Sequence, residues 1–351
     1  MDDEYYSIIE FDTRIAPDEA LEEFFSLLDS LYREVEKEDP FPSNELRKNE
    51  FRDPYPFYDI FWWLVRTNQK IIGFGMISFN NKNSPDYSVN KHLARASIKI
   101  HKDYRHRGIG TELAKILVKK AENYGNITTI QSNTVQDSGK RFSEKLGGIL
   151  ANESSEKRCK IEEIDWSLMN NWKEKGEELT QKEGIHIDIF QKCPEEIIDE
   201  FCKVYTEINN QQPRGNSESR HIVTPEIRRL QEQRYKEKNV EWQTIIARVK
   251  KESIIGLTEI IYDPEMSYKI EQELTGVLDN YRGKGLGKWL KAEMLYIILK
   301  EYPEVKYIQT GNAVTNDSMI SINIKIGFRE NQKKTLYKFN INQLKQKLKT
   351  L

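Results

Sequence analysis

Cysteine is scarce in this chain. Its 351 residues include three, Cys159, Cys193 and Cys202, an odd number without Cys-x-x-Cys spacing. That argues against a disulfide-stapled scaffold and for a reducing, cytoplasmic setting. The five histidines show no metal-ligand spacing, so no metal site is expected. No apolar run approaches the ~20 residues that span a bilayer, and no membrane association is expected. The N-terminus, Met1-Asp2-Asp3-Glu4, lacks the basic-then-apolar pattern of a secretory leader. Net charge is low as well: at −2 there is no electrostatic case for a nucleic-acid partner. Lysine runs such as Lys333-Lys334-Thr335 and Lys345-Gln346-Lys347 read as solvated faces. Two familiar phosphate-binding fingerprints are also missing. Leu113 and Leu290 stand where a dinucleotide loop needs its third glycine, and Trp289 stands where a Walker A loop needs Ser or Thr.

What the chain does have is a glycine loop written twice. Arg105-His106-Arg107-Gly108-Ile109-Gly110 returns 177 residues later as Arg282-Gly283-Lys284-Gly285-Leu286-Gly287. Each copy follows a short apolar stretch and precedes a strongly helical one. Glycines let backbone approach a ligand with no Cβ in the way. The helix that follows offers unpaired N–H groups and the positive end of its dipole. The leading arginine of each copy can add a forked, charge-assisted contact. This is the chemistry that holds a pyrophosphate.

The duplication runs beyond the loops. Pro17-Asp18-Glu19 opens a helical pattern with Leu21, Phe24, Phe25, Leu28 and Leu31, and Pro194-Glu195-Glu196 opens another with Ile198, Phe201, Cys202, Tyr205 and Ile208. Strand pairs at 63–65 and 71–77 match those at 244–247 and 254–258. Segments 129–132 and 142–147 match 307–310 and 322–327. A composition 38% hydrophobic and 31% charged suits a globular protein, and the length suits two domains of ~150 residues. The repeat places an N-terminal domain at 1–164, with 157–161 as its closing strand, and a C-terminal domain at 185–351. Between them, 165–184 reads as a helix capped by Asp165, carrying Trp166, Met169, Trp172 and Leu179 and ended by Gly184. Its two tryptophans imply that it packs against at least one unit.

The spacing Arg-x-x-Gly-x-Gly resembles the acetyl-CoA loop of the GNAT acetyltransferase superfamily, and the doubled pattern is similar in architecture to mycothiol synthase. The resemblance implies an α/β (α+β) fold of two tandem units, each a mixed, mostly antiparallel sheet flanked by helices. It implies acetyl-CoA as co-substrate and no metal. In the second copy Arg282 to Lys288, that is Arg282, Gly283, Lys284, Gly285, Leu286, Gly287 and Lys288, would hold the pyrophosphate. Val277 and Leu278 would lie on a strand splayed from 307–312, with pantetheine in the gap and Asn312 and Asn316 beside it. Lys291 could also reach a phosphate. In the first copy Arg105, His106, Arg107, Gly108, Ile109 and Gly110 would do the same work.

The implied reaction moves an acyl group from a thioester to the amine of a small molecule or peptide. An ammonium with a pKa of about 10 needs a base, the oxyanion needs a donor such as a strand-edge N–H near Leu274–Val277, and the thiolate needs an acid. Many family members place a tyrosine acid five residues before a closing Gly-Phe phenylalanine; here Asn323 and Ser143 occupy that place. Base candidates are Glu259 first and Glu273 second. The corresponding first-unit strand, 74–79, carries no acid, and Gln136 stands where the second unit has Asn316, so 185–351 reads as the catalytic unit. Two rival readings stay open: a non-catalytic acyl-CoA-binding or regulatory module, and an aminoacyl-tRNA-dependent transferase. The acceptor pocket would be built from 14–60 and 191–241, where no diagnostic cluster stands.

Overall fold

The structure, a computed structural model, describes residues 5–35, 39–217, 219–250 and 252–351. The acidic Met1–Glu4 segment lies outside them. The first half runs β1 (Ser7–Phe11), α1 (Asp18–Arg33), α2 (Asn44–Arg52), β2 (Tyr58–Arg66), β3 (Ile71–Asn80), α3 (Tyr87–Asn90), β4 (Leu93–Ile100), α4 (Ile109–Tyr124), β5 (Thr129–Thr134), α5 (Asp137–Lys145) and β6 (Ile149–Lys160). The chain continues with α6 (Trp166–Glu183), β7 (Ile185–Phe190), α7 (Ile198–Asn210), α8 (Pro225–Glu237), β8 (Glu241–Val249), β9 (Ser253–Tyr262) and β10 (Lys269–Val277). It ends with α9 (Leu286–Glu301), β11 (Tyr307–Ala313), α10 (Asp317–Ile326), β12 (Arg329–Asn340) and α11 (Ile341–Lys349). None of the described helices is long and apolar enough to cross a membrane.

Local sequence accounts for the main boundaries. Asp18 and Glu19 sit in the first turn of α1 and Leu21, Phe24, Phe25 and Leu27 form its buried stripe. Asp165 accepts from the N–H groups of Ser167 and Leu168, and Gly184 at φ 68° stops α6, as its sequence anticipates. Met169 and Trp172 of α6 join the core around α9, and Gly176 meets the Trp289 ring so closely that a Cβ has no room.

The chain forms two compact units that share a strand order. In the first, β1 to β4 pair antiparallel in sequence, and β4 then meets β5 in parallel over Leu93–Arg95 and Thr129–Gln131. In the second, β7 to β10 pair antiparallel, and β10 meets β11 in parallel over Lys269–Glu271 and Tyr307–Gln309. In each unit the strands are covered on both faces. In the first unit α1 and α2 pack on one core and α4 and α11 on another; in the second α7 packs on one core and α6 and α9 on another.

The repeat boundary and the packing boundary differ. The first unit comprises residues up to Asn152, Gly215–Arg220 and Lys334–Leu351; the second comprises Glu153–Arg214 and His221–Lys333. Segment 157–161, read from the repeat as closing the first unit, lies instead at the end of β6, whose residues 154–160 pair antiparallel with β11 in the second. The last strand of the first unit is instead 335–340 of β12, antiparallel to β5. The reason lies in side-chain alternation. Tyr337 and Phe339, followed by Ile341, Leu344 and Leu348 of α11, complete the core of the first unit, whereas Cys159 is sealed in the core of the second.

Candidate functional site

The two glycine loops share one backbone conformation. Arg105 and Arg282 are extended, with ψ 161° and 162°. The next residue turns left-handed, His106 at φ 65° and Gly283 at φ 80°, and two residues on Gly108 (82°) and Gly285 (90°) do so again and cap α4 and α9. Such alternation turns successive N–H groups toward one concavity. A Cβ built on Gly108, Gly283 or Gly285 meets nothing within 4 Å, so the space above both loops is open. Helices α4 and α9 begin where the sequence places them.

Both arginines turn back onto the protein. Arg105 Nε donates to the Ile100 carbonyl (2.9 Å) and Nη2 to Glu34 (2.6 Å). Arg282 Nε donates to the Val277 carbonyl (3.1 Å) and Nη2 to Gln211 (2.7 Å). Glu34 and Gln211 cap the C-termini of α1 and α7. The arginines therefore pin loop to strand end and helix end, where the sequence reading gave them a phosphate. In the first unit Gln136 Nε2 also donates to Glu34 (3.1 Å), which links the loop to the start of α5.

Beyond their short parallel junctions the two central strands of each unit part. Residues 96–100 of β4 have no ladder with β5, and 272–277 of β10 have none with β11. The hydroxyl of Thr310 donates to the Gln272 carbonyl (3.0 Å) where the second gap opens. One difference separates the units. The β3–β4 register is unbroken from Gly73/Ile100 to Phe79/Ala94. In the second unit Gln272 faces Ile260 and Thr275 faces Thr258, so Glu273 and Leu274 together oppose Glu259. This is a β-bulge, which unpairs backbone groups and re-aims a side chain.

The bulge sorts the two acids. Glu259 is fully buried: its Oε1 accepts from Arg228 Nη1 (2.7 Å) and from the Thr244 hydroxyl (2.8 Å), and Arg228 lies over the Trp242 ring. An enclosed, ion-paired carboxylate cannot meet an acceptor, so the first choice from sequence is set aside. Glu273 is solvent-accessible. Desolvation by the surrounding protein, then the charges of Glu259 and Glu271, pushes its pKa up to about 7. Burial, then Glu259 and Glu273, holds Tyr205 of α7 well above the usual tyrosine range, so its hydroxyl stays protonated. In the sequence Tyr205 reads only as a core position of its helix; nothing in its spacing marks it as a neighbour of Glu273.

The remaining candidates divide similarly. Asn316 caps α10 by accepting from Met319 N–H. Asn323 Nδ2 donates to Asn312 Oδ1 (2.7 Å), and both are buried. Asn323 therefore braces β11 against α10. Lys288 lies over the Trp172 ring. Lys291 faces inward, 2% exposed and over Phe328, so it does not reach out to a phosphate. Where the second unit has Gly276, packed against Ile208, the first has Lys99, whose pKa is lowered by burial and then by Lys334 and Arg105. The acceptor segment 14–60 contributes to a cavity of about 940 Å3 in the first unit, walled by Phe11, Tyr55, Tyr58, Phe61, Trp62 and Trp63. Among the described residues no three His, Cys, Asp or Glu side chains cluster as a metal site would need.

Comparison with known proteins agrees with this fold. Residues 21–147 match the model of the acetyltransferase (GNAT) family. No curated protein matches the sequence. Among solved structures, the chain is similar to a tandem GNAT protein from the clavulanic acid biosynthesis pathway, with a TM-score of 0.71, 19% identity, and 96% of this chain and 99% of that one covered. It is also similar to a GCN5-related N-acetyltransferase from Sphaerobacter thermophilus, with a TM-score of 0.66, 13% identity, and coverage of 95% and 96%. At these identities the likeness is one of fold. The chain has the architecture of two GNAT units in tandem.

Proposed function

We propose that this tandem GNAT chain is an acetyl-CoA-dependent N-acyltransferase acting on a primary amine of a small molecule or peptide, and that its second unit performs the chemistry. The observation that carries the reading is the bulge at Glu273–Leu274. It puts an accessible carboxylate with a pKa of about 7 on the strand that splays beside an open glycine loop.

The open concavity over Gly283 and Gly285 fits a pyrophosphate, and residues Arg282 to Lys288 would hold it through backbone N–H groups and the start of α9. The unladdered edge of β10 up to Val277 and Leu278, with Asn312 and Asn316 alongside, would take the amide-rich arm as an added strand. When bound, the cofactor supplies an activated thioester. Glu273 then holds the role of base. With a pKa close to neutral it is ionised often enough to accept a proton and basic enough to draw one from an ammonium, directly or through water. Backbone groups released by the bulge supply donors for the developing oxyanion. Arg282 keeps the loop seated on Val277 and Gln211. Glu259 shapes the field around Glu273 from within the core.

The first unit keeps the loop but has neither bulge nor acid on its strand. It fits a cofactor-binding or scaffold role, with Arg105, His106, Arg107, Gly108, Ile109 and Gly110 forming its loop. Steady-state thiol release from acetyl-CoA over a panel of primary amines tests the reading. Amine-dependent release that Glu273→Gln removes supports it; CoA binding without release toward any amine supports a non-catalytic binding module instead.

A further inference from the structure

Away from the glycine loop, the second unit contains a cavity of about 560 Å3 between β6 and α10. Its apolar wall is Val314, Ile320, Ile324 and Phe328, and Ile324 and Val314 remain 55% and 38% exposed. Its polar wall carries Lys157, Arg329 and Lys333 against one acid, Glu330. Three of these four charges have work to do already. Arg329 Nη1 donates to the Phe328 carbonyl (3.2 Å), and Glu330 accepts from the Ser155 hydroxyl (3.0 Å) and faces Lys333 at 3.7 Å. Lys157 differs. It is 7% exposed and makes no hydrogen bond or ion pair among the described residues.

Lys157 is mostly covered along its length and its ammonium opens only into the cleft, and partial desolvation without a bonded partner is costly for an ammonium. The alternation of β6 turns Lys157 to the same covered face as Ser155 and Cys159, so its position is imposed by the strand. Burial lowers its pKa, with the nearby charge of Glu330 acting the other way. An anion at this point would restore what desolvation removes, and the isoleucine wall of α10 would cover an apolar tail. Volumes of this order are those of small-molecule sites. None of the lining residues belongs to the loop, strand or asparagines that the proposed cofactor would use.

We propose that this cleft is a second ligand site, selective for an amphipathic monocarboxylate whose head pairs with Lys157 and whose tail lies along Ile320, Ile324 and Val314. It is independent of the acyl-transfer site. The net positive lining favours an anion over a neutral or cationic ligand of equal size, and the single buried lysine sets one head group per cleft.

Calorimetry on the full chain, with CoA at saturation and octanoate as the probe, tests this. One octanoate per chain is expected, with 1-octanol at least about tenfold weaker, a factor that one charge-assisted contact supplies. Lys157→Met should weaken octanoate by a similar factor and leave 1-octanol unchanged, while Lys157→Arg retains binding. Ile324→Asp, at a position 55% exposed, should also weaken octanoate, and it keeps the test decisive if Lys157→Met fails to fold. Equal binding of octanoate and 1-octanol, unchanged binding in both variants, or absence of octanoate binding at millimolar concentration would overturn the proposal. Competition between CoA and octanoate would also overturn it, because it would assign the cleft to the cofactor.

Discussion

Arg228 Nη1 stands 2.7 Å from Glu259 Oε1, with the two side chains 1% and 0% exposed. This pair sits directly behind the bulge, and Gln272 Nε2 donates to the Glu259 carbonyl (2.7 Å), tying the two strands together at that point. Desolvation by the surrounding protein is the main cause that pushes the Glu273 pKa up to about 7, and the charge of Glu259 adds to it. Glu259→Gln removes that charge, so the acid limb of the kcat/KM profile should move to lower pH. Arg228→Met leaves Glu259 uncompensated, so the limb should move to higher pH, and stability should fall by about 3–5 kcal/mol. Opposite displacements are the signature of electrostatic coupling, and a shift of the same sign in both variants would refute it. The pH dependence of turnover and thermal melts supply the two readouts.

Matched substitutions in the two loops test which half turns over. Gly285 and Gly108 hold φ 90° and 82°, where a β-branched residue is strained. Gly285→Val should abolish acyl transfer, whereas Gly108→Val should leave a substantial part, provided circular dichroism shows both variants folded. Loss confined to Gly108→Val would reverse the assignment.

Both loops present the same open concavity, so calorimetry on cofactor-free protein should approach two CoA per chain, with unequal affinities. Arg282→Glu should remove one site by freeing the loop from Val277 and Gln211. Arg105→Glu, which sets two acids against each other at Glu34, should remove the other. A single site untouched by Arg105→Glu would leave the first unit as scaffold alone.

The first unit depends on the last residues of the chain. Ending the chain at Lys333 removes the partner of β5 and the core residues Tyr337, Phe339, Ile341, Leu344 and Leu348. Hydrogen exchange should then show 129–134 and the rest of the first unit deprotected, with β7 to β10 of the second unit retained. Phe339→Ala should reproduce the effect in part, at a cost of about 3–5 kcal/mol.

Lys291 gives a pH signature of its own. Burial depresses its pKa to about 7, against about 10.4 in an unfolded chain. Between those values the unfolded state binds more protons, so stability from this residue rises as pH increases from 7 toward 10, and below about pH 7, where both states hold the proton, its contribution stays at its least favourable and no longer changes. Lys291→Met should raise the melting temperature at pH 7 and flatten that slope. An unchanged slope would mean that the ammonium is hydrated.

Much of this protein was legible in one dimension. The two glycine loops, the helices behind them and the capped α6 follow from residue type and spacing, because left-handed turns need glycine and caps need short polar side chains. Repetition itself announced two units, since a doubled pattern folds by doubled rules. What the sequence could not settle were distances between segments far apart in the chain. Glu259 and Glu273 look alike on paper; only folding sets one against Arg228 and leaves the other accessible. The bulge that separates them is a single-residue mismatch between strands, invisible until their register is fixed. The arginines look like phosphate ligands until Ile100, Val277, Glu34 and Gln211 arrive beside them. Strand ownership at 154–160 and 335–340 was likewise decided by which core each alternating face could fill. Local rules are short-ranged and act within a turn or a strand, so they determined the elements. Burial and pairing join residues hundreds of positions apart, and they decided the chemistry.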